Sequence, residues 1–521
     1  MATATDHQSE YPASEGLEGI KVPEEHFDVL IVGAGISGIG GAIHLQKRCP
    51  SVSFAILEGR PALGGTWDLF RYPGVRSDSD MHTLGYRFKP WKHEKSIADG
   101  SVILEYLNEA VAENDIGRHI RFSHQVSKAH WSSAEAQWTV TADVTDSASG
   151  VVRSTTLTCG FLFMCSGYYS YRAGYTPAFT GLDNFQGTII HPQDWPETLD
   201  YAGKRVVVIG SGATAMTLVP ALAETAEHVT MVQRSPTYVV ARPASDVIAN
   251  RLRRLLPDRL AYAIVRRKNI FNQGLVYRKT RTDPNKVRDL LLAGVREGLG
   301  PDYDVDKHFN PSYNPWDQRL CLIRDGDLFE TIRLGKASVV TEEIDTFTDR
   351  GLRLKSGLQL DADLIVTATG LSLVTLGEMD FFVDGRPVDF SRTWTYRGLG
   401  YSDIPNLVST FGYVNASWTL KADLTSEYVC RLLNHMAAVG ATRCTPRLRL
   451  EDSEMPERQW IEDFPAGYMQ RSMHLLPRQG DKEPWLNPQD YRQDVKMIRR
   501  GAIDDGVMSF DAPNLTTKPA E

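Results

Sequence analysis

Two glycine-rich stretches carry the plainest chemistry in this 521-residue chain. The first, Phe27-Asp-Val-Leu-Ile-Val-Gly33-Ala-Gly35-Ile-Ser-Gly38, is an apolar strand that runs into a glycine turn and then small residues at helical spacing. Such a turn holds a dinucleotide: Gly33 allows the tight bend, Gly35 admits a pyrophosphate to the backbone, and Gly38 lets the following helix pack closely. The helix N-terminus favours the anion. The second stretch, Gly203-Lys-Arg-Val-Val-Val-Ile-Gly210-Ser-Gly212-Ala-Thr-Ala215, repeats the pattern with Ala215 in the third position, a replacement the fingerprint permits. The strand after each site ends in a residue suited to a ribose. Glu58, closing Ser53-Phe-Ala-Ile-Leu-Glu58, can accept ribose hydroxyls, whereas Arg234, closing His228-Val-Thr-Met-Val-Gln-Arg234, can bind a 2′-phosphate bidentately. Arg234 therefore predicts NADPH in preference to NADH.

Two dinucleotide modules in one chain imply that one nucleotide gives hydride to the reactive ring of the other, and a flavin with a nicotinamide is the simplest such pair. The positioning elements follow from this. The expected fold class is α/β, with two Rossmann-like dinucleotide-binding domains, for FAD and NADPH, and a helical insertion in the NADPH domain. Residues 26–170 are expected to form the first part of the FAD domain and 171–200 a linker. The NADPH domain is placed at 201–365, with the insertion at about 244–303. The rest of the FAD domain and a C-terminal region take 366–505, and 1–25 and 506–521 read as flexible tails. Residues 101–117 read as a helix, and 120–122 with 137–142 as strands of a small sheet. Leu252, Leu255, Leu256 and Leu260 recur at helical spacing among arginines, with a break expected at Pro257. Trp460 and Trp485 read as packing residues in a C-terminal region without evident chemistry.

Composition narrows the function classes. A formal charge of −8 argues against nucleic acid as a partner, since phosphate contacts need a basic surface. The six cysteines include no C-x-x-C pair, so no zinc ribbon, thioredoxin-like couple or disulfide-reductase centre is indicated, and no metal site is expected. The chain reads as reduced and cytoplasmic, with no signal peptide at its start and no run of about 18 apolar residues that would span a membrane. The Arg- and Leu-rich insertion reads as the charged outer face of a helical subdomain in preference to a peripheral membrane segment.

Further motifs carry a family resemblance. Phe185-Gln-Gly187-Thr-Ile-Ile-His191-Pro-Gln-Asp-Trp195-Pro resembles the signature of type I Baeyer-Villiger monooxygenases, a branch of the flavin-containing monooxygenases. Gly64-Gly-Thr66-Trp67-Asp-Leu-Phe-Arg-Tyr-Pro-Gly74 and Tyr313-Asn-Pro-Trp-Asp-Gln318-Arg319-Leu-Cys-Leu resemble that family's flavin-contacting and catalytic segments. The resemblance spans about Phe27 to Asp505. It implies that Thr66, Trp67 and Asp78 lie against FAD, and that Arg319 is the active-site arginine with Asp78 as its partner. On sequence alone Asp78 equally suits a turn. The implied reaction uses O2 and a C4a-peroxyflavin to insert one oxygen beside a ketone carbonyl, or to oxidise sulfur in sulfides and thioamides. The better-known members carry Lys before the catalytic Arg; Gln318 stands there in this chain, which alters the second contact to the NADPH phosphate. His191 reads as support for the linker and not as a base. Two rivals share the nucleotide sites: an N- or S-hydroxylating flavin monooxygenase, which does without Arg319, and a non-catalytic nucleotide-binding or membrane-scaffold protein, which would hold no stoichiometric flavin.

Overall fold

The computed structural model describes residues 25–462 and 464–512, so most of the tails expected at 1–25 and 506–521 lies outside the described residues. Strand Glu25–Val32 runs parallel to Phe54–Leu57 on one side and to the end of Val152–Met164 on the other. Ile120–Arg121 and Leu407–Ser409 extend this parallel set. Val29, Leu30 and Ile31 are fully buried, which is the unbroken apolar run that a sheet covered on both faces demands. Helix Ile36–Arg48 packs on helix Trp418–Val439, so residues almost four hundred positions apart close one core.

Ile120–Arg121 and Gln137–Thr145 do not form a separate small sheet; both belong to the nine-stranded sheet of the first domain. The reason is Val152–Met164, whose first half pairs antiparallel with Gln137–Thr145 and whose second half enters the parallel set, so one long strand fuses the two layers.

The second domain is a five-stranded parallel sheet in the order Ala337–Thr341, His228–Gln233, Arg205–Ile209, Leu364–Thr367, Thr188–Ile190. Its edge strand comes from the stretch expected to be a linker. Thr188–Ile190 completes the sheet, and Phe185 is buried against Val207, Ile209 and Val232 of the same domain.

The insertion is helical, with Val247–Leu255, Asp258–Thr282 and Pro284–Leu299, and Pro257 falls between the first two. Proline fixes its own φ and lacks a donor, which suits it to the start of a new helix and not to the interior of one. The long helix is anchored on the first domain: the buried guanidinium of Arg266 donates to the carbonyls of His82, Thr83 and Gly85 and to Asp423. Helix Pro284–Leu299 instead buries Leu292, Val295 and Leu299 in the core of the second domain. The insertion thus joins both halves.

The C-terminal region is more ordered than expected. Met508–Asp511, placed in a tail by sequence, pairs antiparallel with Arg443–Pro446 because its apolar residues cover the end of the first core. Trp485 and Trp460 are buried, and Trp485 donates to Asp452. No described helix is long and apolar enough to cross a membrane.

Candidate active site

Both glycine turns open on one cavity of about 1310 Å³, more than one small-molecule site ordinarily encloses and enough for two nucleotides. Gly33 has φ +104°, and a Cβ there would stand 2.6 Å from the Cys165 carbonyl oxygen, so the turn needs glycine. Gly35 faces Gly65 backbone to backbone, and Gly38 presses the helix onto the turn. Helix Ile36–Arg48 starts at Gly35 with no side-chain cap, which leaves its first amides for an anion. Thr66 and Trp67 begin the short helix Thr66–Leu69 on the cavity wall. Glu58 lines the same end, accepting from the Ala34 and Arg60 amides at 2.7 and 2.9 Å; burial raises its pKa, and these bonds offset part of the rise. These features fit the pyrophosphate and ribose of a flavin dinucleotide.

The second cradle is built alike. Gly210 would drive a Cβ to 2.3 Å from the Ala368 carbonyl oxygen, whereas Gly212 looks onto open space and starts helix Ala213–Leu222 uncapped. Ala215 is fully buried under the turn. Arg234 follows strand His228–Gln233 directly, is exposed, and borders the cavity. Gln318 also lines it.

Between the cradles, Arg319 faces Asp78 with Nε 4.0 Å from Oδ2. Arg319 precedes strand Cys321–Arg324, and its loop is tied down by Arg281, which donates to Asp317 and to the Trp316 carbonyl. The Arg319 side chain lies deep in the cavity with 38% of its surface open to it. Burial works against its charge and the Asp78 carboxylate favours it; the pKa lies above the ordinary arginine value, so the guanidinium stays charged. Burial raises Asp78, and Arg319 and Arg76 pull it back. Burial likewise raises Tyr168, Tyr169 and Tyr468, which stay protonated hydroxyls around the cation. Tyr168 stacks on Trp418 with ring centres 4.9 Å apart.

The signature residues lie behind this site and hold its two crossing strands. His191 caps the turn Pro192–Asp194: its Nδ1 accepts from the Gln193 amide at 3.1 Å, and its Nε2 donates to the Gly370 carbonyl at 3.0 Å. Tyr175 donates to the same carbonyl, while Ser170 and Val374 bond across to Ser372 and Tyr168. The first and second passages between the domains therefore form one ladder, and His191 pins it. A side chain at Gly187 would meet the Phe185 ring at 2.4 Å and the Asp363 carbonyl at 2.7 Å. Trp195 is buried in the second domain, edge-on to Tyr201.

The C-terminal region shows no chemistry in its sequence, yet Tyr468 and Arg471 of helix Gly467–Ser472 line the cavity. Arg471 sits over the Tyr175 ring at 3.6 Å. An aromatic residue and an arginine three apart on a short helix after Pro465 were the available signal. Among the described residues no group of His, Cys, Asp and Glu could hold a metal ion.

Comparison with known proteins agrees with this geometry. A family model described as flavin-binding monooxygenase-like matches residues 90–276, and one for NAD(P)-binding Rossmann-like domains matches 31–93. The chain is 54% identical to the FAD-containing monooxygenase EthA of Mycobacterium tuberculosis, over 93% of this chain and 98% of that one. It is 47% identical to the probable FAD-binding monooxygenase AlmA of Acinetobacter baylyi, over 95% and 99%. A steroid monooxygenase bound to NADP shares the fold with a TM-score of 0.73 at 24% identity, over 94% of this chain and 100% of that one. An open cyclohexanone monooxygenase does so at 0.71 and 19%, with the same coverage. Identity of this extent, across nearly the whole of both sequences, shows that the chain belongs to the FAD-containing monooxygenases.

Proposed function

We propose that the protein is an NADPH-dependent Baeyer-Villiger monooxygenase, which uses O2 to place one oxygen beside a ketone carbonyl, giving an ester or lactone, and also oxidises sulfur in sulfides or thioamides. The observation that carries this reading is a permanent cation, Arg319, paired with Asp78 in the one cavity onto which both nucleotide cradles open. Gly33, Gly35, Glu58, Thr66 and Trp67 hold FAD, and Gly210, Gly212, Arg234 and Gln318 hold NADPH. The reduced flavin supplies the oxygen-activating chemistry. Arg319 binds the oxyanion that develops on the substrate carbonyl, and a guanidinium suits this because it cannot lose its proton. Asp78 aims it. Tyr168, Tyr169 and Tyr468 flank the guanidinium on the cavity wall.

The test is to bleach the flavin anaerobically with NADPH, then add oxygen with phenylacetone or 2-octanone and assay for ester. Ester formation is the expected result. Peroxide as the only product, with sulfides and thioamides also left unoxidised, would overturn the proposal.

A further inference from the structure

Among the described residues, eight of the eighteen exposed large apolar side chains fall between Val247 and Val276, in two successive helices of the insertion. They are ordered along the helices. Leu260, Ile264, Phe271 and Leu275 recur at spacings of four, seven and four, which a period of 3.6 brings to one side of Asp258–Thr282. They are 49, 42, 54 and 41% exposed. On the preceding helix Val247, Ile248 and Leu255 share a side and are 76, 54 and 69% exposed. An apolar surface of this kind marks a binding face.

The charges beside it name the partner. Arg251, Arg254, Arg259, Arg267, Arg278 and Lys279 are exposed and, among the described residues, none forms an ion pair. The exposed carboxylate within these helices, Asp258, is taken by Lys92. Arg492, from the C-terminal region, adds its guanidinium over the Phe271 ring at 5.5 Å. This cationic face belongs to a chain whose net charge is −8, so the molecule carries a strong charge asymmetry. Two copies meeting through the face would set arginines against arginines, whereas an anionic phospholipid surface takes both the cations and the apolar stripe.

We propose that helices Val247–Leu255 and Asp258–Thr282 dock the protein on an anionic phospholipid bilayer, with the stripe in the headgroup boundary and the arginines on the lipid phosphates. The docking helix also touches the loop that carries Asp78, although it does not itself line the cavity. Its inner side holds Asp80 through Asn269 at 2.9 Å and Gln273 at 3.0 Å, two residues from Asp78. The bilayer therefore lies about one helix diameter, ~10 Å, from the loop that carries Asp78.

The test is sedimentation of the full-length flavin-loaded protein with vesicles of phosphatidylcholine, alone or mixed with phosphatidylglycerol, at low and high salt. Binding about tenfold or more tighter to the anionic vesicles, weakened by salt, is expected. Replacing Leu260, Ile264, Phe271 and Leu275 together by Ser should abolish it with flavin content and circular dichroism unchanged. Should that variant fail to fold, replacing Arg251, Arg254, Arg267 and Arg278 by Gln tests the same face and should remove the preference for anionic lipid. Absence of vesicle binding, or equal binding by wild type and folded variants, would overturn the proposal. So would a dimer in sedimentation velocity that the serine variant dissociates, because the occupant would then be a second copy.

Discussion

Arg76 and Asp327 form an ion pair across the boundary between the two domains, with Nη1 2.5 Å from Oδ2 and the arginine side chain 2% exposed. Beside it Arg324 pairs with Asp99, and Arg76 and Asp99 are themselves backbone partners. Each domain therefore offers one arginine and one aspartate to the other. The latch lies two residues from Asp78, whose carboxyl also feels the Arg76 charge.

Asp327→Asn should loosen this latch and misplace Asp78. Removing one partner of a largely buried pair costs about 3 kcal/mol. Thermal unfolding of the flavin-loaded protein is expected to show that loss, together with a fall in turnover. A double-mutant cycle with Arg76→Gln isolates the coupling between the two residues. A coupling near zero would remove the latch from the account.

Arg234→Ala should raise KM for NADPH by about 10- to 100-fold, the worth of a charge-assisted phosphate contact, while kcat at saturating coenzyme changes little. NADH kinetics should hardly change. Gln318→Lys, which supplies a second cation at the cavity, should lower KM for NADPH. An unchanged NADPH preference in Arg234→Ala would move the phosphate site elsewhere.

His191 makes the ladder between the domains sensitive to acid. Burial lowers its pKa below the ordinary 6.5, with the Gly370 and Asp194 interactions opposing. With a depressed pKa in the folded state, the unfolded chain binds the proton first, so stability rises with pH across the window. The contribution is complete above about pH 6.5 and is lost as the pH falls through the folded value. Protonation also removes the Nδ1 acceptor that Gln193 uses. His191→Ala should flatten this limb of a stability-versus-pH curve and lower stability at neutral pH by about 1–2 kcal/mol. A mutant curve parallel to wild type would contradict the assignment.

Local motifs were legible in the sequence because backbone geometry forces their residues. Gly33 and Gly210 occupy conformations and spaces that admit nothing larger, and the residues leading into them, 29–32 and 206–209, are apolar and buried. Pro257 announced the break in the insertion for a similar reason. Thr188–Ile190 was not legible as a strand, being three residues long and defined by its partner Leu364–Thr367. Tyr468 and Arg471 were missed because the chain brings them to the cavity only after the second return to the FAD domain. The Arg76–Asp327 pair spans 251 positions, so neither residue's local sequence points to the other.

The central claim is that Arg319 serves oxygen transfer and not flavin reduction. Arg319→Ala, loaded with FAD and mixed anaerobically with NADPH, should bleach at a rate close to wild type, and on admission of oxygen and phenylacetone should lose ester by about 10²- to 10³-fold, the usual cost of removing one oxyanion donor. Wild-type ester yield from this variant would contradict the account.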